Sequence, residues 1–213
     1  MTETPPGMAR RGSRTPFISL LVVEFLILFF ALEHYFAHKR WPVKTLTDDT
    51  RGRVVLTPVD TTVSALRRVP RPARSAPESE RISPWETTIY RVRARLLSVH
   101  GQLDRDLHLV IADSAAPSQI MVVEIPDPSE AQGSGFEERF RRARAEIVAR
   151  TGGKRPAGGW PVVVTGVGFF DFTHFQPGAA DSGFELHPVV GVEFEEGSGN
   201  GKRETKRPRT DKS

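Results

Sequence analysis

The chain has no cysteine among its 213 residues, so disulfide staples, thiolate metal sites and a cysteine nucleophile are all excluded. It also lacks a Gly-x-Ser-x-Gly elbow, a phosphate-binding glycine loop, a dinucleotide fingerprint and a His-Glu-x-x-His pair. The best-defined hydrolase, nucleotide and zinc-protease signatures are therefore missing. A third shortage concerns positive charge. The whole chain carries +4, yet residues 197–213 hold six Lys/Arg against two Asp/Glu, whereas residues 86–196 hold eleven against sixteen. The stretch expected to fold is mildly acidic and lacks the basic footprint of a general nucleic-acid binder.

What the chain does have begins with one apolar run. Phe17 to Phe36 follows Arg10, Arg11 and Arg14; its roughly 20 residues match the roughly 30 Å of a bilayer core. A cleaved signal usually carries only about 7–15 apolar residues, and no small-x-small cleavage site follows here. Glu24 inside the run costs about 2.5–3.5 kcal/mol near the bilayer centre, which the Leu, Ile, Val and Phe around it offset. The run predicts an N-terminal apolar helix with the membrane as partner, either a single-pass anchor or a signal exporting the chain to the cell envelope. Lys39, Arg40 and Lys44 balance the arginines before the run, so the positive-inside rule assigns no orientation.

Five stretches follow from composition. Residues 1–16 are a polar N-terminus, 17–36 the apolar helix, 37–85 an extended Pro/Arg-rich linker, 86–196 the folded domain and 197–213 a disordered basic tail. Within 37–85 only Thr61 to Arg67 has the pattern of a short helix. The folded domain opens with Thr87 to Val99, which alternates Ile89, Arg91, Arg93 and Arg95 against Tyr90, Val92, Ala94 and Leu96, a half-buried strand. Asp106–Asp113 and Gln119–Ile125 read as the next two strands. Ser134 and Glu137 have capping-box spacing, ahead of a helical stripe at Phe136, Phe140, Ala143 and Ile147. Pro161–Phe172 and Phe184–Phe194 complete the series. Three strands, one helix and two strands predict a mostly β fold, a five-stranded OB-like barrel with one helix between strands 3 and 4. A sandwich or an α+β meander shares that element string.

The chemistry-bearing residues concentrate late in the chain. Glu185 and His187 are two apart on one strand and share a face, and Asp171 and His174 end the strand before. Two imidazoles and two carboxylates suit a possible divalent metal, or a hydrogen-bond network in which the carboxylates orient the rings. His108 and Glu124 lie on neighbouring strands and form a second candidate pair. Arg91, Arg93 and Arg95 make a one-sided basic stripe. It suits a solvated edge or, with stacking aromatics, a single-stranded nucleic acid. Three functions are thus in view: a non-enzymatic binding domain for a protein or small ligand, a metal-dependent hydrolase at the Asp/His/Glu/His set, and an envelope nucleic-acid binder.

Three paired blocks carry a resemblance. They are Val43-Lys-Thr-Leu-Thr-Asp with Thr57-Pro-Val-Asp-Thr-Thr, His108-Leu-Val-Ile-Ala-Asp with Val123-Glu-Ile-Pro-Asp-Pro, and Gly166-Val-Gly-Phe-Phe-Asp-Phe-Thr-His with Glu185-Leu-His-Pro-Val. Together they resemble a family of uncharacterised bacterial exported proteins over residues 43–194. The resemblance implies an exported domain and no established activity. Phe175 stands where members usually have glycine, and Pro177-Gly178 where they tend to have Thr-Gly.

Overall fold

The computed structural model describes residues 22–28, 31, 39–74, 76–101, 105–152, 158–171 and 178–195. Most of the apolar run at 17–36, and all of the tail at 197–213, lie outside these residues. Residues 22–28 are helical, and among the described residues no helix is long and apolar enough to cross a membrane. Residues 1–39 and 40–213 form two separate units.

In the second unit, six strands make one sheet: β1 (Val55–Thr61), β2 (Thr88–Gly101), β3 (Leu107–Asp113), β4 (Ile120–Ile125), β5 (Trp160–Phe170) and β6 (Phe184–Phe194). The order is β1-β2-β3-β4-β6-β5, and β5 pairs back onto β2. Strands β2 to β6 therefore close a five-stranded barrel, and closure leaves them no free edge. The 14-residue β2 makes this possible. Residues 89–96 pair with β5 and residues 94–101 with β3, with a register shift between Leu96 and Ser98. The β4–β6 pairing is parallel, whereas β2–β3, β3–β4 and β5–β6 are antiparallel. β1 runs parallel to β2 outside the barrel.

Strand alternation sorts the side chains. Val92, Ala94, Leu96, Leu109, Ile111, Met121, Val123, Ile125, Val162, Val164 and Leu186 fill one core; each large one, once fully buried, contributes about 1.5–3 kcal/mol. The helix between β4 and β5, here α3 (Glu137–Thr151), adds Phe140, Ala143 and Ile147 to that core. Its start departs from the expected capping box. Ser134 Oγ accepts from Phe136 N–H at 3.0 Å, and Glu137 reaches back to Gly133 N–H at 2.7 Å, because Phe136 rather than Ser134 is the residue before the first helical turn.

The compact unit starts at Arg40, not near Trp85. Residues 40–69 include two one-turn helices, α1 (Trp41–Lys44) and α2 (Val63–Leu66), and bury Val43, Leu46, Val54, Val63, Leu66 and Val69. The segment lacks a hydrophobic period because ion pairs between distant positions hold it. Arg40 makes a bidentate pair with Glu86 at 2.7 Å per arm, and Arg81 pairs with Asp48, both side chains being fully buried. Glu86 also accepts from Ile82 and Phe170 N–H at 2.6 and 2.9 Å. Both of its oxygens are thus satisfied, as a buried carboxylate requires.

Two glycines of the last block are needed where they stand. A Cβ on Gly168 would lie 2.4 Å from the Trp85 carbonyl oxygen and 2.6 Å from the Phe184 ring. Gly183 has φ +76, and its Cβ would meet the Asp171 carbonyl oxygen at 2.4 Å, since Asp171 N–H donates to the Gly183 carbonyl at 2.9 Å. That bond sets the end of β5 against the start of β6 and fixes Asp171.

Candidate ionic centre

The strand alternation that fills the core turns the intervening residues outward. His108 stands opposite Glu124 across β3–β4, and Phe169 opposite Glu185 across β5–β6. The parallel pairing of Val123 with Leu186 brings β6 beside β4. His108, Glu124, Glu185, His187 and Phe169 consequently share the barrel's outer wall, yet every one is buried. α1 supplies one cover, placing the Lys44 ammonium 3.2 Å from Asp171 Oδ2 and 5.4 Å from the Phe169 ring centre. Residues 178–180 supply another. Gly178 lies against Val110 and Val122, accepts from Val122 N–H, and with Ala179 accepts from the Arg67 guanidinium.

His187 sits at the centre with no solvent exposure. Its Nδ1 faces Glu185 Oε1 at 3.2 Å and Glu124 Oε2 at 3.3 Å. Its Nε2 lies 3.2 Å from Asp106 Oδ2, an ion-pair distance without the alignment of a hydrogen bond. His108 Nδ1 engages the other Glu124 oxygen at 3.0 Å, and the Asp127 N–H donates to Asp106 Oδ1 at 3.1 Å. One ligating atom from each of Asp106, Glu124 and His187 lies within 4.8 Å of the others.

The electrostatics follow from burial and crowding. Burial alone would lower the affinity of His187 for a proton, but Asp106, Glu185 and Glu124 outweigh it and raise the pKa to about 10. Burial raises Glu185 to about 7, with the Asp171 and Glu124 carboxylates adding to the effect against the pull of His187. For Glu124 burial is overcome by the His108 bond and the His187 and Lys44 charges, which hold it below the usual carboxylate value. Lys44 is held well above its ordinary value because Asp171, Glu124 and Glu185 together exceed its desolvation. Opposed shifts of this kind are found both in functional clusters and in structural ion-pair networks.

The structure thus merges two sets that the sequence presents separately, Glu185/His187 and His108/Glu124, and brings Asp171 to their margin through Lys44. His174 lies outside the described residues. Asp106 and Lys44 are additions. Asp106 sits just ahead of β3, two before His108, the same spacing as Glu185 and His187; that repeated acid-x-His pattern was a legible signal. Lys44 is remote in sequence and carried none.

The arginine stripe is engaged elsewhere. Arg91 grips Asp60 of β1 through two bonds at 2.6 and 2.8 Å, Arg93 pairs with Glu195, and Arg95 donates to the Gly158 and Gly159 carbonyls. A surface groove of about 490 Å³ between α3 and β6, lined by Ala143, Val190 and Phe194 among others, shares no residue with the ionic centre. No family model, curated protein or solved structure matches the chain.

Proposed function

We propose that the protein is a membrane-anchored or exported binding domain built on an OB-type barrel, acting through the outer face of β3, β4 and β6, and that it belongs with the exported proteins it resembles. The strand order β2-β3-β4-β6-β5 closing on β2, with the helix after the third barrel strand, supports the OB assignment. The Phe17–Phe36 run supports the anchor. One observation carries the binding reading. Lys44, Asp106, His108, Glu124, Glu185 and His187 are buried together on the outer wall, where apolar side chains would cover the barrel at lower cost. The cluster contains no serine or cysteine nucleophile, and its carboxylates are engaged with His and Lys partners, which favours binding over catalysis. The paired arginines and the acidic balance of residues 86–196 disfavour nucleic acid.

The test is a thermal-shift screen of the full chain against divalent ions, oligosaccharides, peptides and single-stranded nucleic acids, run in parallel on Glu124→Gln. A class that stabilises the parent and not the variant supports the reading, and no response to any class overturns it. Cell fractionation tests the anchor: full-length chain recovered in the soluble cytosolic fraction would overturn that part.

A further inference from the structure

We infer that the ligand of this face is a divalent transition-metal ion held by Asp106, Glu124 and His187, with Glu185 and His108 as their orienting partners. This rests on the binding reading above and gives the ligand its chemistry. Imidazole nitrogen and carboxylate oxygen are the usual non-sulfur ligands of zinc and its neighbours, and the absence of cysteine leaves this donor set as the one the chain can offer.

Three observations carry it. First, the His187 Nε2 is fully buried, has no hydrogen-bond partner and faces the Asp106 carboxylate off-axis at 3.2 Å. Two ligand atoms that each lie about 2.1 Å from one ion at near-tetrahedral angles are themselves about 3.4 Å apart, with neither on the other's lone-pair axis. The observed contact has that form. Second, each of the three ligands is oriented by a neighbour, although Glu124 Oε2 also lies 3.3 Å from His187 Nδ1 and must turn from it to reach the ion. Asp127 N–H holds Asp106 Oδ1, His108 Nδ1 holds Glu124 Oε1, and Glu185 Oε1 faces His187 Nδ1. A carboxylate on the far nitrogen of a histidine fixes the tautomer that leaves Nε2 open to a metal, the recurrent outer-shell arrangement of such sites. Third, Asp106, Glu124 and His187 are all buried, and one ligating atom from each lies within 4.8 Å of the others, a grouping that can close on one ion.

The experiment uses the full chain without a histidine tag, stripped with chelator and titrated with zinc by calorimetry, with bound metal measured by elemental analysis. One zinc ion per chain and a raised melting temperature are expected. Asp106→Asn and Glu124→Gln should abolish stoichiometric binding, Glu185→Gln should weaken it about 10–100-fold as an outer-shell change, and His100→Ala should leave it intact. Circular dichroism checks that each variant folds. A readout that needs no variant is the nitrogen NMR signal of the His187 ring, which should move on zinc addition while that of His100 stays. Substoichiometric zinc in the parent, retention of zinc by both carboxamide variants, or a zinc-induced shift at other histidines alone would overturn the proposal. If zinc fails but another ligand stabilises the parent in a Glu124-dependent way, the metal falls and the binding reading stands. If nothing stabilises it, both fall.

Discussion

Lys44→Met tests the claim that the N-terminal segment is an integral wall of the ionic centre. The Lys44 side chain is 3% exposed and its Asp171 partner 11% exposed, so neither charge has water to fall back on. Methionine keeps most of the apolar stem beneath the Phe169 ring but removes the cation that offsets Asp171, Glu124 and Glu185. Breaking one side of a buried pair costs about 3–5 kcal/mol. In a domain of this size that corresponds to a fall in melting temperature of about 6–20 °C. Trp41, Trp85 and Trp160 are the three tryptophans of the chain, and all lie in the barrel unit, so intrinsic fluorescence in a urea titration follows this unit even in full-length protein. The double variant Lys44→Met/Asp171→Asn separates charge from packing. Neutralising Asp171 as well should recover about 0.5–3 kcal/mol of coupling, with a remainder left because Glu124 and Glu185 still lack the ammonium. A Lys44→Met midpoint within about 1 kcal/mol of the parent, the range of an exposed pair, would refute the reasoning.

Gly168→Ala places a methyl group 2.4 Å from the Trp85 carbonyl, so thermal melting should show an overpacking loss of about 1–3 kcal/mol; an unchanged melt would show that the β5 backbone gives way freely. Despite its burial, Asp113 is held at about 2 by bonds from Ser64, Ala115 and Ala116. A depressed carboxylate stabilises the fold above its unfolded pKa, so about 2 kcal/mol should be lost as the pH falls from about 4 to 2. Asp113→Asn should flatten that limb in acid titrations followed by circular dichroism. In chelator, the ionic centre should act at the other end of the scale. His187, raised to about 10, stabilises fully below its unfolded value of 6.5 and loses that contribution as the pH climbs to 10. Glu185, raised to about 7, is likewise most favourable when protonated, and its contribution fades between 4.5 and 7. Urea midpoints should therefore fall steadily from pH 5 to 10, with Glu185→Gln removing the lower part of the slope. A profile that rises over this range would contradict the assignment.

The barrel was legible because each of its strands sets apolar residues at alternate positions, as in Leu109/Ile111 and Met121/Val123/Ile125, and because α3 repeats Phe140, Ala143 and Ile147 at helical spacing. The same alternation placed His108, Glu124, Glu185 and His187 on the opposite face. It could not show that this face is buried, since that depends on α1 and on residues 178–180 folding over it. Residues 40–69 escaped for a related reason. Their anchors are single buried side chains and charge pairs such as Arg40–Glu86, separated by 46 positions, and neither leaves a period in the sequence. Prolines at 70, 72 and 77 read as breakers, but they follow the packed part instead of preceding it.

The distribution of charge across the barrel wall bears on why the ionic centre is there. On the inner side, the core is apolar throughout and supplies the stability of the unit. On the outer side at β2, Arg91 and Arg93 pair with acids that are themselves exposed, at 71% for Asp60 and 37% for Glu195. Solvent screens such pairs, so they add little to stability, and the face stays wet. On the outer side at β3, β4 and β6, by contrast, the chain spends a covering segment and a second set of buried pairs, Arg40–Glu86 and Arg81–Asp48, to exclude water from six ionisable groups. Hydrophobic residues under the same cover would be neutral or better for stability. Stability alone does not account for the charges, which is the ground on which a binding role is proposed for them. The pairs that hold the cover down then serve the site at one remove, by fixing Lys44 over Phe169 and keeping His187 dry.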